Sequence, residues 1–206
     1  MRNAMRRHLL AALAVSTLFA LPAMAQETPD QTVRRVSEET VQAIKSDPKI
    51  IAGDPVRIRE VIEQKLLPNF DFTRMTALAM GRNWKQTTPE QQKRLADEFR
   101  TLLVRTYSNA LAQYRDEKIE IRPLRADANA TDVTVRSEVV RPGRPPVQID
   151  YGMTKTPEGW KAYDVIVGGV SLVSNYRDEF NEQVKAGGVD GLIKTLADKN
   201  RAAPAK

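Results

Sequence analysis

Chemistry at a protein site needs a base, a nucleophile, a metal or a phosphate cradle, and few residues here qualify. Five carboxylates fall on stretches that alternate like strands: Glu120, Asp132, Glu138, Asp150 and Asp164. A carboxylate buried in a cone-shaped α+β pocket, its pKa tuned by that burial, would serve as the base of a small isomerase or dehydratase. The alternation puts all five opposite the apolar residues, on the wet face. Tyrosine is then the only ionisable type turned inward, and a phenol is a poor general base at neutral pH. Asp178 and Glu179 are neighbours on a helical stretch and point apart. Gly168-Gly169 lacks the spacing of a nucleotide loop and reads as a sharp strand-to-helix turn. Trp84 and Trp160 read as core or rim aromatics. An enzyme is therefore the weaker reading.

The composition narrows the chemistry further. The chain has no cysteine, and its single histidine is His8. Thiol catalysis, disulfides, thiolate metal sites and a cysteine-linked lipid anchor are excluded. His8 falls inside a leader: Arg2, Arg6 and Arg7 form a basic start, Leu9 to Leu21 an apolar run, and Ala23-Met24-Ala25 a small-x-small cleavage site. That run is shorter than the ~20 residues a membrane span needs. Residues 1–25 are thus expected to be a cleaved Sec-type signal peptide, and residues 26–206 a single exported domain without histidine. Ser-His-Asp hydrolysis and histidine–zinc sites are then excluded, and neither a metal nor a cofactor is expected. The formal net charge of +6 falls when the three leader arginines go, leaving nothing like a nucleic-acid footprint.

The elements that would carry a site are legible from caps and periods. Thr28-Pro29-Asp30 opens a helix bearing Val33, Val36, Val41 and Ile44. Asp54-Pro55 opens another with Val56, Ile58, Val61, Ile62 and Leu66, stopping at Pro68. A short helix over residues 69–81 closes at Gly81, and Trp84 follows in a loop. Thr88 and Gln91 make a capping box for a helix running to about Tyr114. At about 100° per residue, Leu95, Phe99, Leu102, Leu103, Tyr107, Ala110, Leu111 and Tyr114 cover about half of its circumference. A helix lying on a sheet needs a stripe of little more than about 100°. The excess packs on other helices or lines something that is not protein.

From Lys118 the period becomes two. Ile119 and Ile121, then Val133, Val135 and Val139, then Val147, Ile149, Tyr151 and Met153, then Tyr163, Val165 and Val167 define four strands. Short connections rich in turn residues make them hairpins. After the glycines, Ser171 caps helices carrying Leu172, Val173, Tyr176, Phe180 and Val184, then Leu192, Ile193 and Leu196. The class is α+β, with helices over one face of a curled four-stranded antiparallel sheet.

Three stretches carry a resemblance: "LLPNFDF" (66–72), "MTALAMGRNWKQTTPEQQKRLADEFRTLLVRTYSNAL" (75–111) and "GWKAYDVIVGGVSLVSNYRDEF" (159–180), with "GLIKTL" (191–196) near the end. The chain resembles the MlaC-type family, also called toluene-tolerance auxiliary proteins, over nearly all of the expected mature region. That resemblance implies a soluble periplasmic phospholipid carrier with a deep apolar cavity between sheet and helices, serving outer-membrane lipid asymmetry. It implies as partners an outer-membrane lipoprotein–porin complex and an inner-membrane ABC transporter with lipid-binding MCE-type domains. On this reading the cavity wall is drawn from Phe70, Leu78, Phe99, Leu103, Tyr107, Leu111, Val135, Ile149, Tyr151, Val165, Leu172 and Tyr176. Arg82, Lys85 and Arg177 are expected at its mouth, beside the head-group phosphate. A hopanoid cargo, and a partner-binding module with a filled core, stay open as alternatives.

Overall fold

Each helix begins where a short polar side chain can satisfy backbone N–H groups that have no helical partner. The computed structural model describes residues 27–112, 117–127 and 129–202; the expected leader and Tyr114 lie outside them. Thr28 and Gln31 form a capping box at the start of α1 (Pro29–Ser46). Asp47 caps α2 (Pro48–Ile51) and Asp54 caps α3 (Pro55–Val61). A π turn and a 3-10 turn carry the chain past Pro68. Asp71 then caps α4 (Phe72–Met80) by accepting from the Arg74 N–H at 2.9 Å. Thr88 and Gln91 exchange hydrogen bonds of 3.1 and 3.2 Å ahead of α5 (Pro89–Ala112), as the capping box predicts. Ser171 accepts from the Ser174 N–H at 3.0 Å and starts α6 (Leu172–Arg201), which kinks at Gly188.

The strands are β1 (Lys118–Ile121), β2 (Asp132–Arg141), β3 (Arg144–Thr156), β4 (Gly159–Val167) and β5 (Val170–Ser171). They form one open antiparallel sheet in chain order. The fold is α+β as expected, with one strand more. β5 was invisible because two residues cannot display a period of two. It makes Gly168-Gly169 the loop of a two-residue hairpin rather than a strand-to-helix turn. Their φ angles of 58° and 85° have the signs of the I′ turn that matches strand twist, and that turn favours glycine.

Register defines an apolar face. Tyr151 lies between Val135 and Val165, and Ile149 between Ser137 and Val167. A bulge between Gly152 and Met153 breaks the alternation of β4. Ala162 pairs with Met153 on the apolar face, and Tyr163 is displaced from the position that strict alternation assigns it. Val56 also departs from expectation. It stays 53% exposed while Ile58, Val61 and Ile62 turn inward. Trp84 sits half-buried in a 3-10 turn (81–86), not a loop, against the helical core.

Three apolar clusters hold these layers. One joins α4, α5 and α6 through Met75, Phe99, Phe180 and Leu192; a second joins α1 to α3 with Val104 of α5. The third seats Val33 of α1 on Val135, Met153 and Ala162 of the sheet. Phe70 packs against both the first and third, and Phe72 against the first two.

Candidate functional site

The helical side of the candidate site is built on i, i+4 spacing along α5, which turns Leu95, Phe99 and Leu103 the same way. Phe99 is 0% exposed. Its ring meets the edges of Tyr176 and Phe180, both at 5.0 Å between centroids. Leu78, Tyr107 and Tyr176 are half-buried and pack on this cluster, as does Phe70, so six of the expected wall residues come together here. Burial pushes the Tyr176 hydroxyl up to about 12, and the nearby Tyr107 adds to the shift.

The sheet gathers a second group. Val135 is 0% exposed, with Phe70 and Tyr151 half-buried against its cluster. Ile149 and Val165 share the same face and are also half-buried. Leu111 packs on the α1–α3 cluster instead, and Leu172, half-buried at the start of α6, belongs to none of the three. Phe70 is the one expected residue that touches both the sheet and the helical groups. It stands beside Ala162 in an isolated parallel bridge, and the Asp71 N–H donates to the Ala162 carbonyl at 2.9 Å.

Of the residues expected at the mouth, Arg82 and Lys85 are exposed on the 81–86 turn. Arg177 is exposed on α6, and its Nε donates to the Leu78 carbonyl at 3.2 Å. A hydrogen bond of 2.8 Å between Asn83 and Asn181 ties that turn to α6.

Most of the strand carboxylates are engaged in structure. Asp164 accepts from the Ser171 hydroxyl at 2.6 Å and the Val173 N–H at 3.2 Å, holding the start of α6. Asp132 pairs with Arg74 at 2.6 Å, and Glu138 with Arg122. Asp150 corrects an expectation: only 8% exposed, it is not on a wet surface. It lies in an interior row between Arg136 and Ile166, where Gln148 donates to its Oδ2 at 2.8 Å and its buried Oδ1 has no hydrogen-bond partner among the described residues. Among the described residues no group of three or more His, Asp or Glu could hold a metal ion.

Among the described residues, two of the hollows that open to solvent stand out. One of about 590 Å³ is polar and lies over the segment after β1, between Arg122 and Arg136. The other, about 410 Å³, lies between Phe70–Thr73, Ala96–Arg100 on α5 and the β3–β4 turn at Thr156, Glu158 and Lys161. Sequence reasoning missed this second hollow because its three segments are far apart in the chain. Phe70 was the only signal available for it.

Fold and surface together define a class: an α+β domain with an open antiparallel sheet whose apolar face meets a helical bundle, and most of whose strand carboxylates are used for structure. The chain belongs to the MlaC protein family, whose model matches residues 34–198. It is 27% identical over 197 residues to the toluene tolerance protein ttg2D of Pseudomonas putida, covering 95% of this chain and 89% of that protein. It is 24% identical over 186 residues to the intermembrane phospholipid transport system binding protein MlaC of Haemophilus influenzae, covering 87% and 85%. Among solved structures it resembles the phospholipid-binding protein from Ralstonia solanacearum in complex with a phospholipid. There the TM-score is 0.78 and the identity 41%, covering 83% of this chain and 96% of the other. No helix among the described residues is long and apolar enough to cross a membrane.

Proposed function

We propose that this protein is a periplasmic phospholipid carrier, not an enzyme, that shuttles lipid between an outer-membrane lipoprotein–porin complex and an inner-membrane ABC transporter with MCE-type domains. The observation that carries the reading is the likeness over most of both chains to a protein solved with a phospholipid bound. The leader sequence supports export, and the engaged carboxylates support binding over catalysis.

The physics of the cargo explains the surface. An acyl chain in water is unfavourable by about 0.8 kcal/mol per CH₂, or roughly 25 kcal/mol for two long chains. Such a cargo needs apolar wall and few polar contacts. The half-buried set supplies it: Tyr107, Leu111, Leu172 and Tyr176 from the helices, Ile149, Tyr151 and Val165 from the sheet, with Phe70 and Leu78. These keep apolar area unused by protein packing, whereas Phe99, Leu103 and Val135 back the wall from behind.

Purified protein extracted with organic solvent should yield phospholipid by mass spectrometry at a fixed ratio to protein. Hopanoid in the extract would change the cargo, and an empty extract would replace the carrier by a module with a filled core.

A further inference from the structure

We propose that the hollow between α4, α5 and the β3–β4 turn holds the phosphodiester of the bound lipid, with Arg100 as its ligand and Phe70 as the lip over which the tails pass. This rests on the carrier reading above. The hollow's volume of about 410 Å³ is near the low end of the ~300–1,000 Å³ of small-ligand sites. That is room for a head group and glycerol rather than for two acyl chains.

Its charges single out one residue. Asp97 is paired with Lys93 at 2.6 Å, and Glu158 lies 3.7 Å from Lys161. Asp71 is occupied as the cap of α4. Arg100, half-buried, has no ion-pair partner among the described residues. A guanidinium left over in a concave site suits a phosphodiester, which it can grip through two parallel hydrogen bonds. Phe70 and Phe72 give the hollow an apolar flank, their rings stacked at 5.7 Å between centroids. Behind Phe70 stand Val135 and Tyr151 of the sheet wall, so a tail passing Phe70 reaches apolar surface at once. Arg82, Lys85 and Arg177 line neither hollow.

The absence of cysteine allows single labels. Thr73 beside the hollow and Arg82 on the 81–86 turn are both exposed, and the seven-residue rise of α4 from Thr73 to Met80 spans about 10 Å. Thr73→Cys and Arg82→Cys would each carry a fluorophore, in protein loaded with phosphatidylethanolamine bearing a nitroxide on its amine. Strong loss of fluorescence at 73 and little at 82 is expected. The reverse, or equal loss at both, overturns the proposal. In a second arm, Arg100→Ala should lower the phospholipid retained through purification several-fold, while Arg82→Ala leaves it unchanged. Retention unchanged in Arg100→Ala overturns the proposal too. So does a heat of binding for inorganic phosphate alone that Arg100→Ala removes, which would assign the guanidinium to a free anion. Wild-type protein that retains no lipid in either arm sinks the carrier reading itself, a result separate from lipid held elsewhere.

Discussion

Tyr163 lies so close to Gly152 that a Cβ built on the glycine would come within 3.1 Å of the tyrosine ring. The Arg74 guanidinium sits 3.9 Å from the centroid of that ring. Arg74 also pairs with Asp132 and donates to Thr154 at 2.7 Å, which ties α4 to the sheet. The bulge of β4 is what releases Tyr163 into this position. Gly152→Val should displace the ring and destabilise the fold by about 1–3 kcal/mol, the usual cost of overpacking. Urea unfolding measures it, and stability equal to wild type would show that the ring moves aside freely.

Leu103 and Val165 should respond differently to the same change. Leu103 is 7% exposed within the bundle cluster. An unpaired carboxylate there is opposed by several kcal/mol of desolvation, so Leu103→Asp should unfold or lose most of its stability. Val165→Asp, half-buried on the sheet face, should fold and lose lipid. Circular dichroism with lipid extraction separates the two, and a folded Val165→Asp that retains wild-type lipid would remove Val165 from the wall.

Tyr176 provides a pH signature. Its pKa is raised to about 12, first by burial, so between an ordinary phenol near 10 and that value the unfolded state has lost a proton that the folded state keeps. Stability should therefore fall as pH rises through this window, and Tyr176→Phe should flatten the fall. Ultraviolet absorbance of phenolate, compared between wild type and Tyr176→Phe, reads the late-titrating group directly.

Glu27 should act with the opposite sign. Its carboxylate takes two hydrogen bonds of 3.0 Å from Arg35, which hold its pKa below the ordinary value. The stabilisation is present above the normal glutamate range and is lost as pH falls through the lowered value. Because the pair is solvent-exposed, Glu27→Gln should cost less than about 1 kcal/mol at neutral pH. A larger loss in thermal unfolding would mean that the start of α1 matters more than its exposure implies.

Gly168 and Gly169 test the hairpin. Added Cβ atoms there meet nothing within 4 Å, so the penalty in Gly168→Ala and Gly169→Ala is backbone alone, roughly 1–2 kcal/mol each. Lipid transfer to acceptor membranes should slow in the double variant only if the loop bends as cargo moves. Unchanged transfer in folded protein leaves it a turn.

Much of this molecule was legible in sequence because the deciding forces are local. The Thr88–Gln91 box, the Asp54-Pro55 start and the strand alternation depend on neighbours within four residues; the first two stand where the pattern puts them, and the alternation holds as far as the bulge of β4. The expected class, α+β with an antiparallel meander, follows from those periods. Tertiary structure decided what depends on partners far along the chain. The half-apolar period of α5 cannot say whether Phe99 faces cargo or Phe180, since both environments exclude water equally. Nor can alternation foresee a bulge, which moved Tyr163 off its assigned face toward Arg74, eighty-nine residues earlier. Asp150 reads as wet because charge and period agree, yet its neighbours on β2 and β4 enclose it. The hollow beside Arg100 exists only where three distant segments meet, and whether a guanidinium finds an ion-pair partner among the described residues is decided by that meeting.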